Sequence, residues 1–211
     1  MSGLALWVAW LLAAPASAPL PPTLEAPRIG AFLVANPQIE GYFAETVIVL
    51  VDHDTSGTLG VIVNRPVALS LDELLPEIEE ARGHGERAYL GGPVDPGKML
   101  LLIRAGDAPR NTAPVLPGLH MSGHRDALRR LLAEPPEGVS FRAYAGYAGW
   151  ARGQLASEIA RGDWTLAPGD AKSVFTDEPG TLWRRLLSRH QQIHVQAPQG
   201  AGTFVKTSKR W

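Results

Sequence analysis

Thr46-Val47-Ile48-Val49-Leu50-Val51-Asp52 is β-branched and continuously apolar between its polar ends. A run of that kind reads as a strand buried on both faces. Gly57 then turns the chain into Thr58-Leu59-Gly60-Val61-Ile62-Val63, a second strand of the same kind, and the short connection predicts a hairpin. Upstream, Ala31 to Ala35 reads as a strand ended by Asn36-Pro37. Downstream, Ser70 with Glu73 three residues later forms a capping box for a helix carrying Leu71, Leu74 and Leu75, which Pro76 curtails after two turns. Arg82 to Arg87 is a polar turn. Ala88 to Leu90 and Lys98 to Arg104 are strands separated by Gly91-Gly92-Pro93-Val94. Ser122 is placed to cap a helix whose Ala127, Leu128, Leu131 and Leu132 form one apolar stripe, stopped by Pro135-Pro136. Val139 to Tyr147 reads as a strand and Trp150 to Arg161 as a helix ended by Gly162. Leu182 to Gln191 is the last helix, with Leu182, Leu186 and Leu187 on its inner side. No repeat or composition shift divides residues 28–194, so they are read as one α+β domain, followed by a basic tail over 195–211 that carries Lys206, Lys209 and Arg210.

The whole chain has 211 residues, 45% apolar and 19% charged, a globular balance rather than a disordered one. Its 22 glycines and 18 prolines imply many loops. A formal net charge of −1 argues against a strong electrostatic nucleic-acid binder. The absence of cysteine rules out disulfides, thiolate chemistry and Cys-ligated metal.

Residues 1–27 differ from the rest. No charged side chain precedes Glu25, and Leu4 to Ala14 is an apolar run containing Trp7 and Trp10. At ~1.5 Å per residue the run spans roughly 16 Å, too short for a hydrocarbon core of ~30 Å. It resembles the apolar region of a secretory signal of 1–16 or 1–18, with Ala14 to Ala18 as the small-residue cleavage zone. No Lys or Arg precedes the run, and a cut after Ala18 would leave Pro19 beyond it, so a cut after Ala16 is chemically easier. A mis-called start and a retained apolar extension are the alternatives. Pro19, Pro21, Pro22 and Pro27 make a stiff spacer.

The catalytic and metal motifs dissolve on inspection. His120 and His124 have the spacing of helical zinc ligands, but Ser122 between them caps the helix and no HExxH arrangement is present. No metal site and no cofactor are therefore expected. His53 and Asp54 read as turn residues beside Asp52. No Gly-x-Ser-x-Gly elbow, Walker A run or Gly-x-Gly-x-x-Gly fingerprint occurs, and no catalytic residue is assigned. Gly91-Gly92-Pro93 reads as a tight strand-to-strand turn; baring its backbone N–H groups to an anion is the alternative.

One constellation is more specific. In Gly146-Tyr147-Ala148-Gly149-Trp150-Ala151-Arg152-Gly153-Gln154-Leu155-Ala156-Ser157-Glu158-Ile159, the residues Trp150, Gln154 and Glu158 are spaced to line one stripe of the expected helix. An amide and a carboxylate beside an indole could hold a polar ligand or peptide. The favoured reading is that Gln154 and Glu158 satisfy backbone groups at a buried helix–sheet junction, with Trp150 packed.

The segment resembles the signature of the YqgE/AlgH family of bacterial proteins, and further motifs follow in order. Arg28-Ile29-Gly30-Ala31-Phe32-Leu33-Val34-Ala35-Asn36-Pro37 is similar to the family's opening strand. Phe43 to Leu50, with His53 after it, resembles the next. Gly57 to Val63 followed by Asn64-Arg65-Pro66 matches its glycine-bounded strand. Gly91-Gly92-Pro93-Val94, Ser122-Gly123-His124-Arg125-Asp126-Ala127-Leu128, Val174-Phe175 and Leu182-Trp183 complete a resemblance running from about Arg28 to Arg189. Thr46 stands where the family commonly has Ser, Ala156 where an acidic residue usually follows Gly-Gln-Leu, and the apolar leader is atypical.

The resemblance implies an α+β fold with a mixed, partly barrel-like β-sheet surrounded by helices. It also implies a cytoplasmic location, or a periplasmic one if the leader is a genuine signal. Some members carry a transcriptional-regulator label, yet no helix-turn-helix or basic recognition helix is legible here. The expected function is non-enzymatic binding or regulation, through a groove near Asn64, Arg65, Pro66, Gly91, Gly92, Pro93, Trp150, Gln154 and Glu158 that takes a small ligand or a protein partner. The alternative is a hydrolase or transferase using Glu158 or His53 as general base. No membrane span is expected, and no residue pattern sets the oligomeric state.

Overall fold

Ala31–Ala35 (β1), Val47–His53 (β2) and Gly57–Ile62 (β3) form an antiparallel meander in the computed structural model, which describes residues 24–196. The apolar leader, most of the proline spacer and the tail beyond Gln196 lie outside the described residues. Pro66–Ser70 (β4), a one-turn helix at Leu71–Leu74 (α1) and Arg87–Leu90 (β5) follow. Then come Val94–Arg104 (β6), Ala113–Leu116 (β7), Leu119–Ser122 (β8) and Arg125–Ala133 (α2). Ser140–Ala151 (β9), Gln154–Ala160 (α3), Trp164–Pro168 (β10), Ala171–Val174 (α4) and Pro179–Gln196 (α5) complete the chain.

The strands make one strongly curled half-barrel sheet in the order β10-β1-β2-β3-β9-β6-β8-β7, with β5 on β9 and β4 on β5. The β5–β9 pair is parallel amid antiparallel neighbours, so the sheet is mixed.

Alternation along the strands explains the unbroken apolar runs. Phe32, Val34, Val47, Val49, Val61, Leu100, Leu102 and Tyr144 face the inside of the curl, where Leu182 and Leu186 of α5 cover them. Leu33, Ile48, Leu50 and Ile62 face outward under α3 and the indoles of Trp150 and Trp164. Leu101 and Ile103 face outward under α2, whose Ala127, Leu128, Leu131 and Leu132 are all buried. Each buried Val, Leu, Ile or Phe side chain contributes about 1.5–3 kcal/mol of burial, and a sheet covered on both faces needs no polar alternation.

Four expectations need correction. The helix expected to start at Trp150 starts at Gln154, because β9 continues through Ala151 and Gly153 (φ +78°) makes the break. A left-handed residue there is a glycine's role. Ser122 ends β8 instead of capping α2; the cap is His124, whose N–H donates to Ser122 Oγ at 3.2 Å. The helix after Ser70 keeps its capping box but lasts one turn.

The fourth correction concerns Gly91-Gly92-Pro93, which is not a turn between neighbouring strands, since β5 and β6 do not pair. It carries the chain across β9, from the edge that β5 occupies to the edge that β6 occupies. The crossing is a backbone-on-backbone contact. A Cβ on Gly92 would lie 2.0 Å from the Tyr147 carbonyl carbon, and one on Gly91 would lie 2.3 Å from the Gly146 oxygen.

Candidate functional site

Trp150, Gln154 and Glu158 do converge, although from a strand and a helix. Trp150 Nε1 donates to Glu158 Oε2 at 2.7 Å, and Gln154 Nε2 donates to Oε1 at 3.0 Å. Gln154 Oε1 accepts the Ala151 N–H at 3.1 Å. A fourth member, Trp164 at the start of β10, donates its Nε1 to the same Oε2 at 2.9 Å. The two indoles meet edge to face, with centroids 6.1 Å apart. One carboxylate thus ties β9, α3 and β10 together, accepting three hydrogen bonds from the fold. Trp164 could not be found by helical spacing because it sits on a strand; its place shortly after the helix-ending Gly162 was the available signal.

Asn64-Arg65-Pro66 is engaged with backbone. Asn64 is buried; its Oδ1 accepts the Val47 N–H at 2.9 Å and its Nδ2 donates to the Glu45 carbonyl at 2.9 Å. Glu45 has φ +55°, so the amide holds a strained entry into β2. Arg65 Nη2 donates to the Ala44 carbonyl at 3.0 Å, and its guanidinium lies 5.2 Å from the Tyr42 ring centroid. Pro66 opens β4 opposite Tyr89. Bonds from Leu90 N to Arg65 O and from Ile62 N to Gly91 O, each 2.9 Å, join this segment to Gly91-Gly92-Pro93. The Glu158 cluster stands apart. A row of edge contacts, Tyr42–Phe43 at 5.4 Å and Phe43–Trp164 at 5.8 Å, separates it from Arg65.

An open groove of about 420 Å³ lies where the tip of the β2–β3 hairpin meets β9. Asp52, Asp54, Ser56, Thr58, Tyr147 and Trp150 line it, with Val94 entering from the residue after Pro93. Asp54 organises the tip, accepting the Ser56 hydroxyl at 2.6 Å and the N–H groups of Ser56 and Gly57 at 2.7 and 3.2 Å. The Ser56 hydroxyl first, then these N–H groups, hold its carboxyl below the usual value. His53 Nδ1 lies 2.7 Å from Thr58 Oγ1.

The other histidines are not a ligand pair. His120 points from β8 into the layer beneath α2, opposite Ile103, and neither ring nitrogen has a partner. His124 caps α2. Among the described residues no cluster of three or more His, Asp or Glu could hold a metal, and no helix is long and apolar enough to cross a membrane.

Residues 32–194 match the AlgH-like family model, DUF179. A UPF0301 protein of Methylococcus capsulatus is 40% identical over 166 residues, covering 75% of this chain and 88% of its own length. One from Chlamydia pneumoniae is 34% identical over 159 residues, covering 75% and 84%. The solution structure of the AlgH protein from Pseudomonas aeruginosa superposes with a TM-score of 0.64 at 30% identity, over 80% of this chain and 93% of that one.

Proposed function

The chain belongs to the AlgH-like family, and from that premise we propose that it is a binding protein whose ligand surface is the groove at the β2–β3 tip. The observation that carries this reading is pre-organisation. Asp54 is fixed by three donors, the Trp150 indole by Glu158, and Val94 by its pairing with Tyr147, so the groove keeps its shape without a ligand. A rigid surface spares the ordering cost of binding. Asp52 and Asp54 give it negative charge, and Ser56, Thr58 and Tyr147 supply hydroxyl and aromatic contacts. That chemistry suits an amine or a polyhydroxylated small molecule. Asn64, Arg65, Gly91, Gly92, Gln154 and Glu158 support the surface in this reading, their polar groups or close backbone contacts being engaged within the fold. The test is saturation-transfer NMR of the full chain with spermidine, glucose and glycine betaine, repeated on Tyr147→Ser and Asp52→Asn. Binding of one probe that both substitutions weaken supports the groove; binding that neither alters sinks it.

A second reading has one observation in its favour. The Thr58 hydroxyl sits 2.7 Å from His53 Nδ1, the contact a general base makes with a nucleophile. A screen against esters and phosphoesters, followed by His53→Gln and Thr58→Val on any hit, distinguishes it. Activity that survives both substitutions eliminates this pair. Glu158 is a poor base by comparison, because two indoles and an amide already occupy its oxygens.

A further inference from the structure

A second groove, also about 420 Å³, lies between the end of β6, the α4 turn and α5. Four cationic side chains line it, Arg104, Lys172, Arg185 and Arg189, against two carboxylates, Asp170 and Asp177. Asp170 is committed: its Oδ1 accepts the Ser173 N–H at 2.7 Å and its Oδ2 the Ser173 hydroxyl at 2.8 Å, capping α4. Among the described residues Lys172, Arg185 and Arg189 form no ion pair; the pairs present lie elsewhere.

The walls are braced. Arg142 donates to the carbonyls of Val174 and Thr176 at 2.7 Å each, clamping the α4–α5 connection to β9. Its guanidinium and that of Arg104 both contact the Phe175 ring, 5.5 and 5.0 Å from its centroid. Arg104 is further held by a bond from its Nε to Ser140 Oγ at 3.0 Å, which leaves its terminal nitrogens for the groove. Arg185 and Arg189 are one turn apart on α5, and like charges at that spacing destabilise a helix unless something neutralises them. Guanidinium forks match the oxygens of phosphate.

We propose that this groove binds the phosphate of a small phosphomonoester. The lining carries a formal charge of +2, and a phosphomonoester carries about −1.5 to −2 at neutral pH. The site is distinct from the acidic groove at the hairpin tip, so its success or failure is independent of that reading.

The test is calorimetry of the full chain at about 50 mM salt, where exposed charges are weakly screened, with AMP, glucose 6-phosphate and inorganic phosphate, and with adenosine and glucose as unphosphorylated controls. The phosphorylated probes bind and the controls do not. The double variant Arg185→Gln/Arg189→Gln, and separately Lys172→Gln, weaken binding on the order of tenfold, while Arg82→Gln, outside the groove, leaves it unchanged. Circular dichroism confirms that each variant is folded. Affinity falls as pH drops below about 6, where the phosphate takes up its second proton. Three results overturn the proposal: no heat with any phosphorylated probe, equal weakening by Arg82→Gln, or displacement of AMP by a single-stranded oligonucleotide at equal phosphate concentration. The first two show that the cations are solvated surface, and the third that the groove is a general polyanion surface.

Discussion

Replacing Glu158 by Ala should cost the fold more than any single surface change. The carboxylate takes both indole N–H groups on one oxygen, at 2.7 and 2.9 Å, and the Gln154 amide on the other at 3.0 Å. Trp150 and Trp164 are only 6% and 5% exposed, so truncation leaves two nearly buried donors without an acceptor. Each unmet buried donor costs about 1–3 kcal/mol. Glu158 itself is half-buried, and water entering beside it offsets part of that, so about 2–4 kcal/mol is expected for Glu158→Ala. For a domain of this size, each 1 kcal/mol lowers the melting temperature by about 2–4 °C. Glu158→Gln is milder: its amide oxygen can serve both indoles, while its NH2 faces that of Gln154, whose oxygen is already held by Ala151 N–H. One bond is lost, about 1 kcal/mol. Urea unfolding followed by tryptophan emission measures both variants. If Glu158→Ala matches the parent midpoint, or if Gln costs as much as Ala, the carboxylate is not the tie described here.

Three further outcomes follow from separate contacts. Gly92→Ala should prevent folding, because the new methyl would overlap the Tyr147 backbone, whereas Gly97→Ala meets nothing within 4 Å and should be silent; comparable solubility and melting of the two refutes the strand crossing. His120→Leu should raise stability by about 1–3 kcal/mol, since it removes two buried ring nitrogens with no partner from an apolar layer; a lower urea midpoint would count against that. The Asp54 carboxyl is depressed below its ordinary 3.8, so its support of the hairpin tip is full above that value and lost as pH falls through the lower folded-state value. The Gly57 amide shift should therefore titrate with a midpoint below 3.8, and a midpoint at or above it contradicts the turn geometry.

The strands that were legible in sequence are those whose signal is local. Val47 to Val51 and Ala31 to Ala35 are apolar enough to declare themselves at any register. The α2 stripe was legible for the same reason. β4 and β7 were not, because Pro66, Pro114 and the exposed residues of β4 carry edge-strand chemistry that propensity alone does not distinguish from loop, and β8 is only four residues long. The glycines at 91 and 92 read as a turn in sequence, and nothing local to them says what packs against their backbone. The answer, another segment of the same chain 55 residues on at Tyr147, is fixed only by the sheet order.

That difference bears on where function lies. Residues that stand out in sequence as a polar cluster, such as Trp150-Gln154-Glu158 and Asn64-Arg65, are hydrogen-bonded at junctions within the fold. Asn64 spends its carbonyl and its amide on backbone, and Glu158 accepts from two indoles and an amide. Arg185, Arg189 and Lys172 are ordinary by composition, yet the fold gathers them around one groove without an ion pair among the described residues. If ligand recognition resides in such uncommitted groups, neutralising Arg185 and Arg189 will cost binding and little stability. Glu158→Ala will cost stability and leave phosphomonoester binding unchanged, and that double dissociation cannot arise if the Glu158 cluster is itself the phosphate site.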